Sequence, residues 1–282
     1  MIVDIGDFNF QFFNLPNYVK RELYKLYESE HRSEVNESID FTIDLETSSF
    51  IRRFFRRQKV FMLDGQRIFN PVAYDKCLPS VEWAMNWCIG SYDHSKILIH
   101  ASVVEKNGKT IIFPASQGSG KSTLSAYLGL KSWNLFSDEF AVIDIASGFV
   151  SPLFRPASLK NNSIDIIRSA FPNAMYSCVT KGTQKGDVAH VKTMNRLHFN
   201  SLQPAKIAGV VTPKYRKDSE VEILRLNMTQ ALSILIRNSF NYSILGDIAF
   251  KKLCTIASDA EAYAITYSDF DDIESTLHKI IR

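Results

Sequence analysis

The nine residues Ala115-Ser116-Gln117-Gly118-Ser119-Gly120-Lys121-Ser122-Thr123 constrain this chain more than any other stretch. They match the phosphate-loop pattern, with Ala115 in place of its first Gly. The physics asks for small residues there. Gly118 and Gly120 let the backbone turn so that successive N–H groups face phosphate oxygens. A helix opening near Lys121 would add the partial positive charge of its N-terminus. Lys121 would then reach the terminal phosphates, and the Ser122 hydroxyl would hold Mg²⁺. Ser116, Gln117, Gly118, Ser119, Gly120, Lys121, Ser122 and Thr123 are therefore the expected nucleotide-binding residues. The competing reading is an incidental Gly/Ser turn before a helix. The motif's context opposes it, because the apolar Thr110-Ile111-Ile112-Phe113 precedes the loop and a helical pattern over Ser122–Leu130 follows.

A metal-bound triphosphate also needs a carboxylate. Leu135-Phe136-Ser137-Asp138-Glu139 reads as a short apolar strand ending in two acids, with Asp138 only seventeen positions after Lys121. Such acids would face the phosphates if their strand neighbours the loop strand. The alternative is a solvated strand end.

The rest of the chain sets the frame. It has 282 residues, 45% of them apolar and 22% charged, enough to bury a sizeable core. A net charge of +3 is too balanced to point to nucleic acid. No apolar run reaches the ~20 residues that cross a bilayer. The opening Met1-Ile2-Val3-Asp4 lacks the pattern of a signal peptide. Cys77, Cys88, Cys178 and Cys254 form no Cys-x-x-Cys pair, so reduced, mostly buried thiols in the cytoplasm are expected. His31, His94, His198 and His278 have no ligand-like spacing.

Periodicity suggests a strand or hairpin over 2–13, then a helix over 17–29 with Val19, Leu23, Leu26 and Tyr27 on one face. A half-buried strand follows at 39–46, then a hairpin around Asp64-Gly65 and a helix over 80–92 opened by Pro79. From about residue 97 the pattern becomes α/β. Ile97–Val104 reads as one strand, turned by Asn107-Gly108 into the loop strand. Strands at 133–136, 140–145, 207–212, 220–225 and 262–267 alternate with helices at 162–170, 229–240, 246–257 and 269–281. The expected organisation is a small α+β segment at 1–95 and an α/β domain at 96–282.

Taken together, Ile99-His100-Ala101-Ser102, the loop from Ser116 to Thr123 and Ser137-Asp138-Glu139 resemble the HPr kinase/phosphorylase superfamily, which shares its core with phosphoenolpyruvate carboxykinase. The resemblance spans about 97–190. Arg155-Pro156-Ala157-Ser158-Leu159-Lys160, Lys181-Gly182-Thr183 and Ala189-His190 look more like the HPr-kinase-related kinases than HPr kinase itself. Ala101 and Glu139 depart from HPr kinase, which has Gly after the His and a pair of Asp. The first 95 residues do not resemble its N-terminal domain. The resemblance implies an α/β fold with a P-loop kinase core, a smaller N-terminal α+β segment, and ATP and Mg²⁺ as cofactors. It implies that Asp138 takes the proton from an acceptor hydroxyl, that Glu139 is the second acid near Mg²⁺, and that His100 lies close to the phosphates and the acids. Lys121 completes this catalytic set, and Ser122, Asp138 and Glu139 are the metal-facing residues. The glycine-rich segment on which the family's reverse reaction with phosphate depends is not found here.

Three further segments carry charge. Arg155 and Lys160 flank a Pro-containing loop and could clamp a phosphate or an acidic substrate, or be an ordinary surface pair. Residues 181–190, with Lys181 and His190, read as a mobile surface loop or as a lid over the substrate. Arg52, Arg53, Arg56 and Arg57 would share a helical face, either solvated or turned to an acidic peptide or polyanion.

The expected activity is transfer of the γ-phosphoryl group from ATP to a hydroxyl, either a serine of a peptide or protein or a small hydroxylated metabolite. The competing class is a nucleotide-binding regulatory module with slow hydrolysis. A carboxykinase-like enzyme is a third reading, for which the chain is short. No Asn-Lys-x-Asp motif supports GTP. Neither nucleic acid nor membrane is an expected partner, and homo-oligomerisation stays open.

Overall fold

A computed structural model of the chain describes residues 1–28, 38–50, 52, 54–115 and 118–282. Ser116, Gln117, His31 and Arg53 lie outside the described residues. The described chain is a mixed α/β structure. It divides into two compact units, each built from two separate stretches: Met1–Ser91 with Phe154–Arg196, and Tyr92–Leu153 with Leu197–Arg282.

In the first unit, Ile2–Asp4 and Asn9–Phe13 form the expected hairpin. Asn9–Phe13 pairs in parallel with Phe41–Thr47, which pairs antiparallel with Gln58–Leu63. The helix Asn17–Tyr27 buries Val19, Leu23, Leu26 and Tyr27, the face its spacing predicts. Asp64 and Gly65 both take positive φ, 49° and 76°, as a tight hairpin turn requires. The next helix runs over Cys77–Tyr92, so Pro79 sits inside its first turn, where no intrahelical N–H bond is lost.

Two expectations fail in this unit. The described residues of the basic run 52–59 form no α-helix. Arg52 sits in a 3-10 turn, Arg56 takes a φ of 46°, and Gln58 already begins a strand, because β-pairing with Phe41–Thr47 outweighs the helical spacing of the arginines. Residues 181–190 are neither loop nor lid. Thr180–Thr183 and Gly186–Lys192 form a hairpin, and Gly186–Lys192 also pairs with Ala157–Lys160. Val188, Ala189, His190 and Val191 are all buried, so the segment is held by packing on both faces. All four cysteines are free; Cys77 and Cys88 are buried as expected, whereas Cys254 is half-buried and Cys178 exposed.

The second unit is organised by a nine-stranded sheet among the described residues. The apolar run expected as one strand is two, Lys96–His100 and Ser102–Lys106, parted at the fully buried Ala101. Lys96–His100 pairs with Phe140–Asp144, while Ser102–Lys106 pairs with both Lys109–Phe113 and Asn134–Ser137. The long strand Ala205–Tyr215 lies parallel to Lys109–Phe113 and, over its second half, parallel to Glu261–Tyr267. One core lies between this sheet and the helices Met228–Arg237 and Asp247–Asp259, where Ile97, Ile99, Val103 and Ile112 meet Ala231, Leu235, Leu253 and Ile256. The helix Lys121–Lys131 packs on Ser102–Lys106 and Asn134–Ser137. No helix among the described residues is long and apolar enough to cross a membrane.

Candidate functional site

The loop after Lys109–Phe113 ends at Gly120, which takes a φ of +90° and stands as N-cap of the helix Lys121–Lys131. A Cβ there would lie 3.2 Å from Tyr215 Cβ and 3.4 Å from the Tyr267 hydroxyl, so both backbone angle and space call for glycine. Gly118 takes +87°, with nothing among the described residues within 4 Å of where a Cβ would stand, so its backbone angle calls for glycine. The Ser119 carbonyl accepts a bond from the Tyr215 N–H at 3.1 Å, tying the loop to the end of Ala205–Tyr215. Lys121 is buried at the first helical position, and Ser122 and Thr123 are half-buried beside it.

Asp138 stands just past the strand Asn134–Ser137 and is only 3% exposed. Its Oδ1 accepts hydrogen bonds from Ser102 Oγ at 3.0 Å and Ser125 Oγ at 3.1 Å. Ser102 Oγ also lies 2.8 Å from the Asp138 carbonyl. Ser125 is one helical turn after Lys121, so it shares that face, and its hydroxyl lies 3.2 Å from the Ser122 carbonyl. Asp138 is thereby fixed against the loop helix, one turn in from Lys121, by hydroxyls from the segments before and after the loop. The chain bends here because Ser137 Oγ accepts the Phe140 N–H at 3.1 Å. That bend carries Glu139 to His100, with Oε2 and Nε2 3.3 Å apart. The His100 ring packs beside Phe240, whose exposed ring also meets Phe140.

The structure thus brings together Gly118, Ser119, Gly120, Lys121, Ser122, Thr123, Asp138, Glu139 and His100. The expected substrate residues all lie in the other unit. Arg155 is no surface cation: its guanidinium donates to Glu82 Oε2 at 2.6 Å, both side chains are under a tenth exposed, and the Tyr27 hydroxyl donates to the same carboxylate at 2.8 Å. Lys160 ends Ala157–Lys160, Lys181 is exposed in Thr180–Thr183, and His190 is buried in Gly186–Lys192, opposite Ser158. Sequence reasoning missed Ser102, Ser125 and Tyr267. Ser102 lay within the motif around His100, and Ser125 could have been found as a small hydroxyl one turn beyond Lys121. Tyr267 is distant in sequence and carries no local signal.

Ser119 Oγ and Tyr267 Oη are buried and have no hydrogen-bond partner among the described residues. An unmet buried hydroxyl costs about 1–3 kcal/mol. Burial, with Tyr215 beside it, raises the Tyr267 pKa, so its hydroxyl stays a donor. Two spare hydroxyls beside a glycine-bent helix start suit an anion with several acceptor oxygens. Ser122 with Asp138 or Glu139 would offer Mg²⁺ hard oxygen donors. Among the described residues no group of three or more His, Cys, Asp or Glu is arranged for a metal. No protein-family profile matches the chain, and no curated protein sequence matches it.

Proposed function

We propose that the second unit is an ATP- and Mg²⁺-dependent kinase that moves a γ-phosphoryl group to a hydroxyl. The observation that carries this reading is the position of Asp138. A buried carboxylate is held, one turn in from its start, against a helix that opens on a glycine-bent loop. Phosphoryl transfer passes through a loose transition state, so alignment and charge neutralisation do most of the work. The loop amides and Lys121 hold the β- and γ-phosphates, and Ser119 and Tyr267 donate to their oxygens or to the loop that cradles them. Ser122 and one of the two acids would hold Mg²⁺, which offsets phosphate charge when bound. Asp138 orients the acceptor hydroxyl and takes its proton, while Ser102 and Ser125 fix the carboxylate's rotamer. His100 holds Glu139. The resemblance of these segments to the HPr kinase superfamily supports the same assignment.

The test is incubation with γ-labelled ATP, Mg²⁺ and a panel of serine-containing peptides and hydroxylated metabolites, with label located by mass spectrometry. A stable phosphorylated acceptor is the expected product. Release of free phosphate alone, whatever acceptor is present, would replace the kinase reading by a nucleotide-binding regulatory module.

A further inference from the structure

The first unit holds a cavity of about 540 Å³ whose lining, among the described residues, includes Arg52, Arg57 and Lys59 and no Asp or Glu. The fold gathers these cations from two places. Arg52 follows Phe41–Thr47, while Arg57 immediately precedes Gln58–Leu63 and Lys59 is that strand's second residue. Each is held. The Arg57 guanidinium carbon lies 3.8 Å above the centre of the Tyr74 ring. Lys59 Nζ donates to Leu45 O at 2.8 Å and Asn14 O at 3.1 Å, two of an ammonium's three protons. The nearby Asp44 carboxylate is outside the lining and accepts from the Asn14 side-chain amide at 2.8 Å.

We propose that this cavity binds a phosphoryl anion carried on a small organic molecule, with Arg52, Arg57 and Lys59 as its donors. Three cations in one concave wall match the three oxygens of a phosphoryl group, and guanidinium forks suit their geometry. Phe50, 79% exposed at the wall, offers an apolar face to the organic part. A long polyanion is disfavoured, because the cations converge on a cavity instead of spreading over a face, and the chain's net charge is only +3. Burial, together with the like charge of Arg57, lowers the Lys59 pKa, a cost that a bound anion would offset.

Calorimetric titration of the whole chain with inorganic pyrophosphate, a hexose 6-phosphate and ADP tests this. The proteins to compare are wild type, the double variant Arg52→Ala/Arg57→Ala, Arg57→Lys and Lys121→Ala. Pyrophosphate should bind Lys121→Ala with a sub-millimolar Kd and bind the double variant's cavity at least tenfold more weakly. Arg57→Lys keeps the charge and the fold but loses the fork, and should weaken the same event severalfold. The tighter of the hexose phosphate and ADP identifies the ligand's source. The phosphate-loop reading is separable: binding lost only in Lys121→Ala overturns the cavity site and leaves the loop, and binding lost only in the arginine variants does the reverse. Tighter binding of an Asp/Glu-rich peptide than of every phosphoryl probe also overturns the proposal, as does a Kd unmoved by Arg57→Lys.

Discussion

Asp138 and Tyr267 show how single groups at this site can be separated by chemistry. Asp138→Asn keeps the side chain's shape and its bonds from Ser102 and Ser125 but loses basicity. Transfer should fall roughly 10²-fold or more while nucleotide affinity is largely kept, measured as kcat against Kd. A deeper loss in Glu139→Gln, with Asp138→Asn near wild type, would reverse the roles of the two acids. Lys121→Ala should abolish transfer in a folded protein, and wild-type turnover there would sink the phosphate-loop assignment. Tyr267→Phe removes a buried hydroxyl without a partner. Without nucleotide its Tm should hold or rise slightly, and the further rise in Tm on adding ATP should shrink. A destabilised apoprotein with an unchanged ATP increment would show that the hydroxyl serves the fold alone. The residues around the loop were legible because their chemistry is local: glycines, a lysine and a hydroxyl in a fixed order. Ser125 and Tyr267 escaped notice because their roles arise only once the helix and the parallel strands are in place.

Elements were legible where one face is apolar at a fixed period, as in Asn17–Tyr27. They were misread where burial is two-sided or where charge hides a strand, as at 186–192 and 58–59. The helix Phe270–Ile280 gives a test at this scale. Its buried Glu274 accepts from Lys131 Nζ at 2.7 Å, Ser132 Oγ at 2.6 Å and Trp133 Nε1 at 3.2 Å. Burial alone would raise its pKa, but these donors hold the carboxyl below its ordinary 4.5. A lowered carboxyl contributes stability that is present above that value and is lost as pH falls through the folded pKa. Urea unfolding between pH 6 and pH 3 should therefore show a flatter acid limb for Glu274→Gln than for wild type. The break at Ala101 makes a second test. His100 and Ser102 flank it, one facing Glu139 and the other bonded to Asp138. One residue inserted there shifts the register of at least one strand and turns its side chains to the opposite face. Insertion at 101 should abolish transfer, whereas insertion at the Asn107-Gly108 turn should be tolerated in both activity and Tm.

At the scale of the whole molecule, the two units are interleaved along the chain, and nothing in the sequence announces it. A division near residue 95 is what composition suggests, because contacts between Met1–Ser91 and Phe154–Arg196 leave no periodic trace. One feature they share is the buried group of Tyr27, Glu82 and Arg155. A fragment of residues 1–91 would leave the Glu82 carboxylate buried without its cation, at a cost of about 3–5 kcal/mol, a large share of a small domain's stability. Such a fragment should give poorly dispersed amide NMR spectra, and fusing 154–196 to it through a flexible linker should restore dispersion. A native-like spectrum from 1–91 alone would remove the ion pair from the folding argument. The same interleaving sets an order of events during synthesis. Glu82 leaves the ribosome 73 residues ahead of Arg155. At roughly 5–20 residues per second that is a wait of about 4–15 seconds, long compared with the collapse of a small chain. Through that interval the first sheet and its helices are exposed with a carboxylate awaiting burial, which makes the nascent chain a client for whatever shields apolar surface at the tunnel exit.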